Sequence, residues 1–529
     1  MHLFPIRIFA MSLLLLAGCS PKYIGVSSPK TISKTAYPKT KSPLLRSLHK
    51  TNKNLGKRSA FYSLNVPADA LAARLFLIDH AKTSVNVQYY IYDEDTIGGV
   101  FLAHLFKAAN RGVKVRILLD DFRTTGKDDA LEKIALHPNV ELRIFNPNRM
   151  RTLFRYLTLA FHPDTLGKRM HNKSLSADGS VAIIGGRNIG DVYFSTEDGM
   201  LFIDYDILCI GKVVSDITNA FDVFWNSNEA VPAAKVFDKH WMSYKEIERP
   251  FRHTLENTVK RFNASGLGQK VIHSDFMQKV KKDRLLFTVA KDTNFYSDAP
   301  SKVHTNKNDD RTHISRQLQG HIQKIQSNLV IISPYFVPTK QMLTLLKHLK
   351  KEGVKITVVT NSLASTDVPL VYAGYKKSIK TLLGMGIDLY ELKSDSFRKL
   401  LRGKKLKKIP EISLHTKMML LDNKRLAIGS ANMDPRSDKL NTELVVIIHS
   451  SKLTKAQHNI LDKALNSTNF YKLSWEKHPT AIKDITTYGV VWHTLEKGKE
   501  KSYYDAPKAG FFKKLGVDIV SLLPIDGLL

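Results

Sequence analysis

The chain has 529 residues, 43% of them hydrophobic, enough for two or three ordinary domains with sizeable cores, so a chain without a packed interior is excluded. Its 80 Lys and Arg against 49 Asp and Glu leave a formal charge of +31, which predicts attraction to polyanions such as nucleic acid, anionic lipid surfaces or lipopolysaccharide. Charge alone does not choose among these.

At the start, Arg7 precedes an apolar run from Ile8 to Leu16, followed by Leu16-Ala17-Gly18-Cys19. This is the layout of an export signal over residues 1–18. The run is shorter than the roughly 20 apolar residues of a membrane-spanning helix. Leu-Ala-Gly-Cys resembles the bacterial lipobox, and the resemblance implies cleavage before Cys19 and lipidation of its thiol; an ordinary signal peptide, or a buried apolar strand with a chance Cys, is the alternative. Ser20, where an Asp would favour the inner membrane, points to the outer one. Cys209 is the other cysteine, so with Cys19 acylated no disulfide can form within the chain. Its setting, Ile207-Leu208-Cys209-Ile210, reads as core packing.

Residues 19–60 read as a disordered basic tether. From Pro21 to Ala60 there are ten Lys or Arg, no acid, and prolines at 21, 29, 38 and 43. Behind a lipid anchor such a segment would lie against anionic headgroups.

A first folded domain is expected over 61–300. Ala68 to Lys82 has helical spacing, Ser84 to Ile91 alternates as a strand, Gly98 to Arg111 is a second helix, and Val113 to Asp120 a second strand. This is a parallel α/β unit. A second domain over 301–529 repeats the order. A helix ends at His321–Ser327, Leu329–Pro334 reads as strand, Met342–Lys351 as helix and Gly353–Val359 as strand. Gly112-Val113 and Gly353-Val354 lie 241 positions apart, Tyr90 and Tyr335 lie 245 apart, and the motifs below lie 244 apart. A nearly constant offset marks duplication. The expected fold is therefore two copies of one α/β domain facing each other. No later stretch reaches membrane-spanning length, so the body is expected to be soluble and peripheral.

The first motif is His171-Asn172-Lys173 with Asp178, followed by Gly185-Gly186-Arg187-Asn188. The second is His415-Thr416-Lys417 with Asp422, followed by Gly429-Ser430-Ala431-Asn432. Each is HxKxxxxD with an Asn 17 positions after the His. On a strand, the two-residue period puts His and Lys on one face. A cation beside an imidazole suits phosphate chemistry: the ammonium holds nonbridging oxygens while the imidazole meets phosphorus, and the Asn and backbone donors add hydrogen bonds. His80/Lys82 and His348/Lys350 repeat the HxK half by chance, without the Asp.

These two blocks resemble the phospholipase D superfamily from Phe61 to the C-terminus. Gly185-Gly186-Arg187-Asn188-Ile189-Gly190-Asp191, Thr360 to Val368, Asn432-Met433-Asp434-Pro435-Arg436-Ser437 and Asn441-Thr442-Glu443 resemble its bacterial cardiolipin synthase C branch. The resemblance implies that each domain is a mixed sheet flanked by helices and that the two meet about a pseudo-two-fold axis, with one active site between them. One His forms a phosphohistidine and the other protonates the leaving alcohol, then activates water or a second alcohol. It implies His171 as nucleophile and His415 as acid and base, an order that two similar half-sites leave reversible. It implies no cofactor and no metal, and the sequence has no Cys/His cluster at zinc spacing and no HExxH. Each imidazole needs a carboxylate to fix its tautomer. Glu443 is the match in the second half and Asp204 in the first, with Asp206 as an alternative; Asp178 and Asp422, grouped with the catalytic residues by the motif, are equally open to a structural role. Asn188, Ser430 and Asn432 are expected to support the site.

Basic stretches at Arg149–Arg169 and Arg398–Lys408 precede the two motifs. The first interleaves Leu153, Phe154, Tyr156, Leu157, Leu159 and Phe161 with Arg151 and Arg155, as at a membrane boundary; a packed helix with a solvated basic face is the alternative. The expected function is phosphatidyl transfer between membrane phospholipids, cardiolipin synthase-like with phosphatidylglycerol as donor. The alternatives are a phospholipase D that passes the group to water, a periplasmic nuclease, and a lipoprotein that only binds lipid. Small nucleases of the superfamily carry one motif per chain and dimerise, so two motifs in one chain favour lipid over nucleic acid as partner and a catalytic monomer. The expected location is the bacterial envelope, lipid-anchored and facing the periplasm.

Overall fold

The computed structural model describes residues 32–37, 55–124, 128–147, 167–194, 200–237, 243–306, 309–311, 313–396, 411–465, 468–479, 486–496 and 498–523. The signal segment with Cys19, most of the tether, and the basic stretches at 149–166 and 398–408 lie outside the described residues.

Both expected α/β units form. In the first half, helices Pro67–His80 and Thr96–Asn110 alternate with strands Ser84–Tyr89 and Lys114–Asp120, which pair in parallel. Pro67 stands in the first helical turn, and Asp95 caps the next helix by accepting from the Gly98 N–H. In the second half, strands Asn328–Ile332 and Lys355–Asn361 pair in parallel around helix Lys340–Lys351, capped by Thr339.

The duplication extends to sheet order. Strands Asp206–Gly211, Val181–Gly185, Ser174–Ala177, Ser84–Tyr89, Lys114–Asp120 and Val140–Phe145 are neighbours in that order. Leu444–His449, Arg425–Gly429, Met418–Leu421, Asn328–Ile332, Lys355–Asn361 and Asp388–Leu392 repeat it in the second sheet. Strand periodicity explains how the halves join. Val181 and Ile183 point into a core shared with the helices, whereas Ala182 and Ile184, on the other face, join Val330, Leu420, Ile428, Val446 and Ile448 of the second half in a common core. Strands buried on both faces read as continuous apolar runs rather than alternating ones. Cys209 lies in this inter-half core, where burial pushes its thiol pKa up.

Two expected boundaries shift. Ser59–Leu64 already belongs to the first sheet, and Asp292–Ser297 pairs with Leu444–His449 of the second, so the chain changes sheets between Val289 and Asp292, ahead of residue 300. The tether is not uniformly detached either. Thr35 is buried, its N–H and hydroxyl bonding Asp222 at 2.8 and 3.0 Å, and Arg116 Nη2 donates to its hydroxyl at 2.9 Å. The Arg116–Asp222 pair, itself only slightly exposed, leaves polar groups that Ser33 and Thr35 complete, and the Ala36 carbonyl accepts from the Ser84 hydroxyl at 2.7 Å. Among the described residues no helix is long and apolar enough to cross a membrane.

Candidate active site

Each HxK segment enters a short antiparallel hairpin: His171 and Lys173 lead into Ser174–Ala177, and His415 and Lys417 into Met418–Leu421. The motif Asp is at the far end of its strand. Asp178 and Asp422 occupy the hairpin turns with φ of 52° and 54°, a left-handed backbone that Asp tolerates better than most residues. Seven residues of extended chain put them roughly 20 Å from the imidazoles. Asp178 accepts the backbone N–H groups of Lys82, Thr83 and Ser84, at 2.7–3.2 Å. Asp422 accepts those of Gln326, Ser327 and Asn328, at 2.8–3.4 Å. Both therefore clamp the turn to the opening of the central strand. The structure does not bring either carboxylate to the imidazoles, and their contacts are those of the structural alternative. Asp178→Ala is expected to lower stability by about 2 kcal/mol, because three buried or half-buried donors lose their acceptor. A lower urea midpoint, with kcat per folded molecule retained, is the check.

The imidazole partners are crossed between halves. His171 Nδ1 lies 2.9 Å from both oxygens of Glu443, and His415 Nδ1 lies 2.5 Å from Asp204 Oδ2. Main-chain pairing enforces this: His171 N–H donates to Thr442 O at 2.9 Å and His415 N–H to Ile203 O at 2.8 Å, each the residue before the carboxylate. The parallel pair Met200–Ile203 and Glu411–Leu414 completes the exchange. The sequence names both carboxylates, but a half-by-half reading pairs each with the wrong histidine.

The carboxylate settings differ. Glu443 also accepts from the Ser430 hydroxyl and, at 2.7 Å, from that of Ser437. Asp204 accepts the Tyr205 N–H at 2.8 Å and packs on Gly186, where a Cβ would stand 2.1 Å from Oδ1. Gly186 is the counterpart of Ser430, 244 residues earlier. The first half thus uses a shorter acid and a smaller neighbour. Asp206 is not a partner: Arg74 at 2.9 Å and Arg187 at 3.0 Å hold its carboxylate.

The Lys173 and Lys417 ammonium groups donate to the carbonyls of His171 and His415, at 2.7 and 2.6 Å. Asn188 does not face the cleft as a free donor. It accepts from the Ile91 N–H and donates to the Tyr193 hydroxyl at 2.7 Å, and the Tyr193 ring meets His415 edge-on at 5.3 Å. Asn432 keeps a buried carboxamide oxygen without a partner among the described residues. Sequence reading missed the ring contacts: Tyr90 against His171 at 4.9 Å and Phe202 against His415 at 4.9 Å. The Tyr90–Tyr335 offset was the available signal. Among the described residues no group of His, Cys, Asp and Glu is arranged to hold a metal ion.

Burial dominates the electrostatics. It lowers His171 to about 4, against the pull of Glu443, and together with Lys417, Lys173 and His171 drives His415 well below the usual imidazole range. Burial also lowers Lys173 to about 7 and Lys417 to about 8. Both imidazoles are thus neutral nucleophiles or bases at rest, and their Nε2 atoms are the nitrogens left by the Nδ1 pairing. The lysines hold their charge below about pH 7 and lose it above about 8. For a soluble phosphodiester, kcat/KM is expected to rise up to about pH 4, hold to about pH 7, then fall by about tenfold per unit as Lys173 loses its charge and more steeply above about pH 8 as Lys417 follows. A profile flat from pH 7 to 10 would refute the lysine contribution.

A sequence-family profile described as "Cardiolipin synthase, PLD-like domain" matches residues 75–225 and 318–465, one copy over each motif. The chain belongs to the cardiolipin synthase, PLD-like domain family. Within it, the chain is 35% identical over 471 residues to cardiolipin synthase C of Escherichia coli K12, covering 88% of this chain and 96% of that one. It is 30% identical over 474 residues to an uncharacterized protein of Helicobacter pylori J99, covering 88% and 89%. The crystal structure of phosphatidylserine synthase from Haemophilus influenzae Rd KW20 superposes with a TM-score of 0.53 over 80% of this chain and 92% of that one, at 12% identity. That likeness concerns the fold: two facing PLD-like domains.

Proposed function

We propose that this family member is a phosphatidyltransferase of membrane phospholipids, working as a cardiolipin synthase with phosphatidylglycerol as donor. The observation that carries the reading is the pair of buried neutral imidazoles, each fixed at Nδ1 by a carboxylate of the opposite half and each followed by a buried lysine. The donor phosphate sits between Lys173 and Lys417, whose charges hold its nonbridging oxygens. His171 Nε2 attacks phosphorus, the bond to the headgroup oxygen breaks, and His415 delivers a proton to the departing alcohol. The anionic phosphodiester supplies the negative charge that raises His415 toward protonation for this step. Neutral again, His415 takes the proton of a second lipid hydroxyl, which attacks phosphorus and frees His171. With phosphatidylglycerol in both roles, the products are cardiolipin and glycerol.

The reading includes export and lipidation at Cys19, so that the catalytic body works at the periplasmic side of the envelope, the outer membrane being favoured by Ser20. One chain supplies both half-sites and acts as a monomer. The test is purified protein with phosphatidylglycerol vesicles, with and without added alcohol, and separation of the lipids. New cardiolipin is expected. Phosphatidic acid alone would make the enzyme a hydrolase, and unchanged lipid would sink both.

A further inference from the structure

The helix Phe511–Ser521 packs in an inverted sense. Val517 is buried and Val520 leans on the second-half core, while the larger apolar side chains point outward. Phe511, Phe512 and Leu522 are 72, 85 and 86% exposed, and Leu515, Ile519 and Leu523 are also solvent-facing. Positions 511, 515, 519 and 522 fall on one stripe at helical spacing, with 512 and 523 beside it. Exposed apolar residues scattered singly need no explanation; six on one face of one helical segment do.

The surroundings identify what covers them. The neighbouring helix Pro369–Gly384 contributes Lys376, Lys377 and Lys380, and the C-terminal segment contributes Lys508, Lys513 and Lys514; Asp505 and Asp518 are the acids of these two segments. Lys376, Lys508 and Lys514 pair with Asp518, Asp395 and Asp505, Lys377 bonds the Leu523 carbonyl and Lys380 lies 4.9 Å over the Trp475 ring, so Lys377, Lys380 and Lys513 supply the net positive charge. An apolar stripe rimmed by an excess of lysines, with the part-exposed Trp475 of a strand beside Lys380, is complementary to the headgroup and acyl boundary of an anionic bilayer. A second copy of the chain would have to bring the same excess of lysines against these.

The helix that carries the stripe is tied, on its buried side, to the loop that leads to the active site. Lys513 Nζ donates to the Thr366 carbonyl at 3.0 Å. The next residue, Asp367, accepts from the Tyr335 hydroxyl at 2.8 Å and is close enough to act on Lys417. We propose that Phe511–Leu523 is the element by which the folded body docks on an anionic phospholipid bilayer, seating the mouth of the cleft at the lipid surface independently of any anchor at Cys19. This rests on the reading that the substrate is a membrane phospholipid.

The test uses the mature chain, beginning at position 19 with Cys19→Ala, so that neither the apolar signal segment nor an acyl chain holds it on vesicles. Phe512→Cys in this background is labelled with an environment-sensitive fluorophore; Cys209 is buried and unreactive. On phosphatidylglycerol vesicles the emission should shift to the blue and be quenched by lipid-borne quenchers. The unlabelled Phe511→Ser/Phe512→Ser variant, its fold checked by circular dichroism, should partition at least about tenfold less onto those vesicles. Emission indifferent to vesicles would overturn the proposal. So would a blue shift that appears without lipid and grows with protein concentration, since a second copy then covers the face. Neither readout needs turnover. New cardiolipin without the shift rejects the docking helix alone, and the shift without any lipid product rejects the enzymatic reading alone.

Discussion

His171→Ala is expected to lower phosphatidyl transfer by about 10⁴-fold or more while leaving the fold intact, because it removes the nucleophile rather than a core contact. His415→Ala should cost a comparable factor for a different reason: the headgroup oxygen then leaves without a proton, and the second alcohol attacks without a base. The two losses are separable by rapid quenching with donor labelled at phosphorus. In His415→Ala, label should accumulate on the peptide carrying His171, alkali-stable and acid-labile as a phosphoramidate is. In His171→Ala no protein-bound label should form. Label on His415 in the His171 variant would exchange the two roles, a reversal that the near-symmetry of the half-sites permits. Absence of label in both variants and in the unaltered enzyme would remove the covalent intermediate.

Much of this site is legible in the sequence because a duplicated chain repeats its own signals. Two HxKxxxxD blocks 244 residues apart, with a Gly-Gly or Gly-Ser turn in register, name the histidines and lysines. Hydrophobic periodicity places them on strands. The motif Asp shows where a sequence pattern stops being informative. Its spacing from the His is the length of one strand, so it recurs as faithfully as a catalytic residue, yet Asp178 and Asp422 bond the backbone at the opposite end of that strand. The crossing of the carboxylates was hidden for a related reason. Glu443 is near His415 in sequence, and only the pairing of Met170 with Thr442 across the halves delivers it to His171, as that of Ile203 with Leu414 delivers Asp204 to His415. The docked piece of the tether escaped notice because Thr35 stands in a basic, proline-bearing segment, and its partners Arg116 and Asp222 are far away in sequence.

The crossed pairing carries the second large expectation. Glu443→Gln is nearly isosteric, and the rotatable Ser430 and Ser437 hydroxyls can accept from the new amide where they now donate to the carboxylate. What is lost is the charge that fixes the Nδ1–H tautomer of His171 and stabilises the cation formed as the phosphohistidine develops. By analogy with other buried His–carboxylate pairs the loss should be about 10³- to 10⁴-fold in kcat with little change in stability. Asp204→Asn should behave similarly through His415. Loss of activity alone does not prove the crossing, because either acid could act from anywhere in the site. Low-field proton resonances of the imidazole N–H groups do discriminate. Glu443→Gln should abolish or shift the resonance that disappears in His171→Ala, and Asp204→Asn the one that disappears in His415→Ala. The opposite correspondence would mean that each half supplies its own carboxylate. Joint use of one cleft would then rest on the lysines and the inter-half apolar core alone. The crossed arrangement makes a stronger demand: neither histidine has its partner until the second half has folded against the first, so assembly of the two halves and activation of the site become a single event.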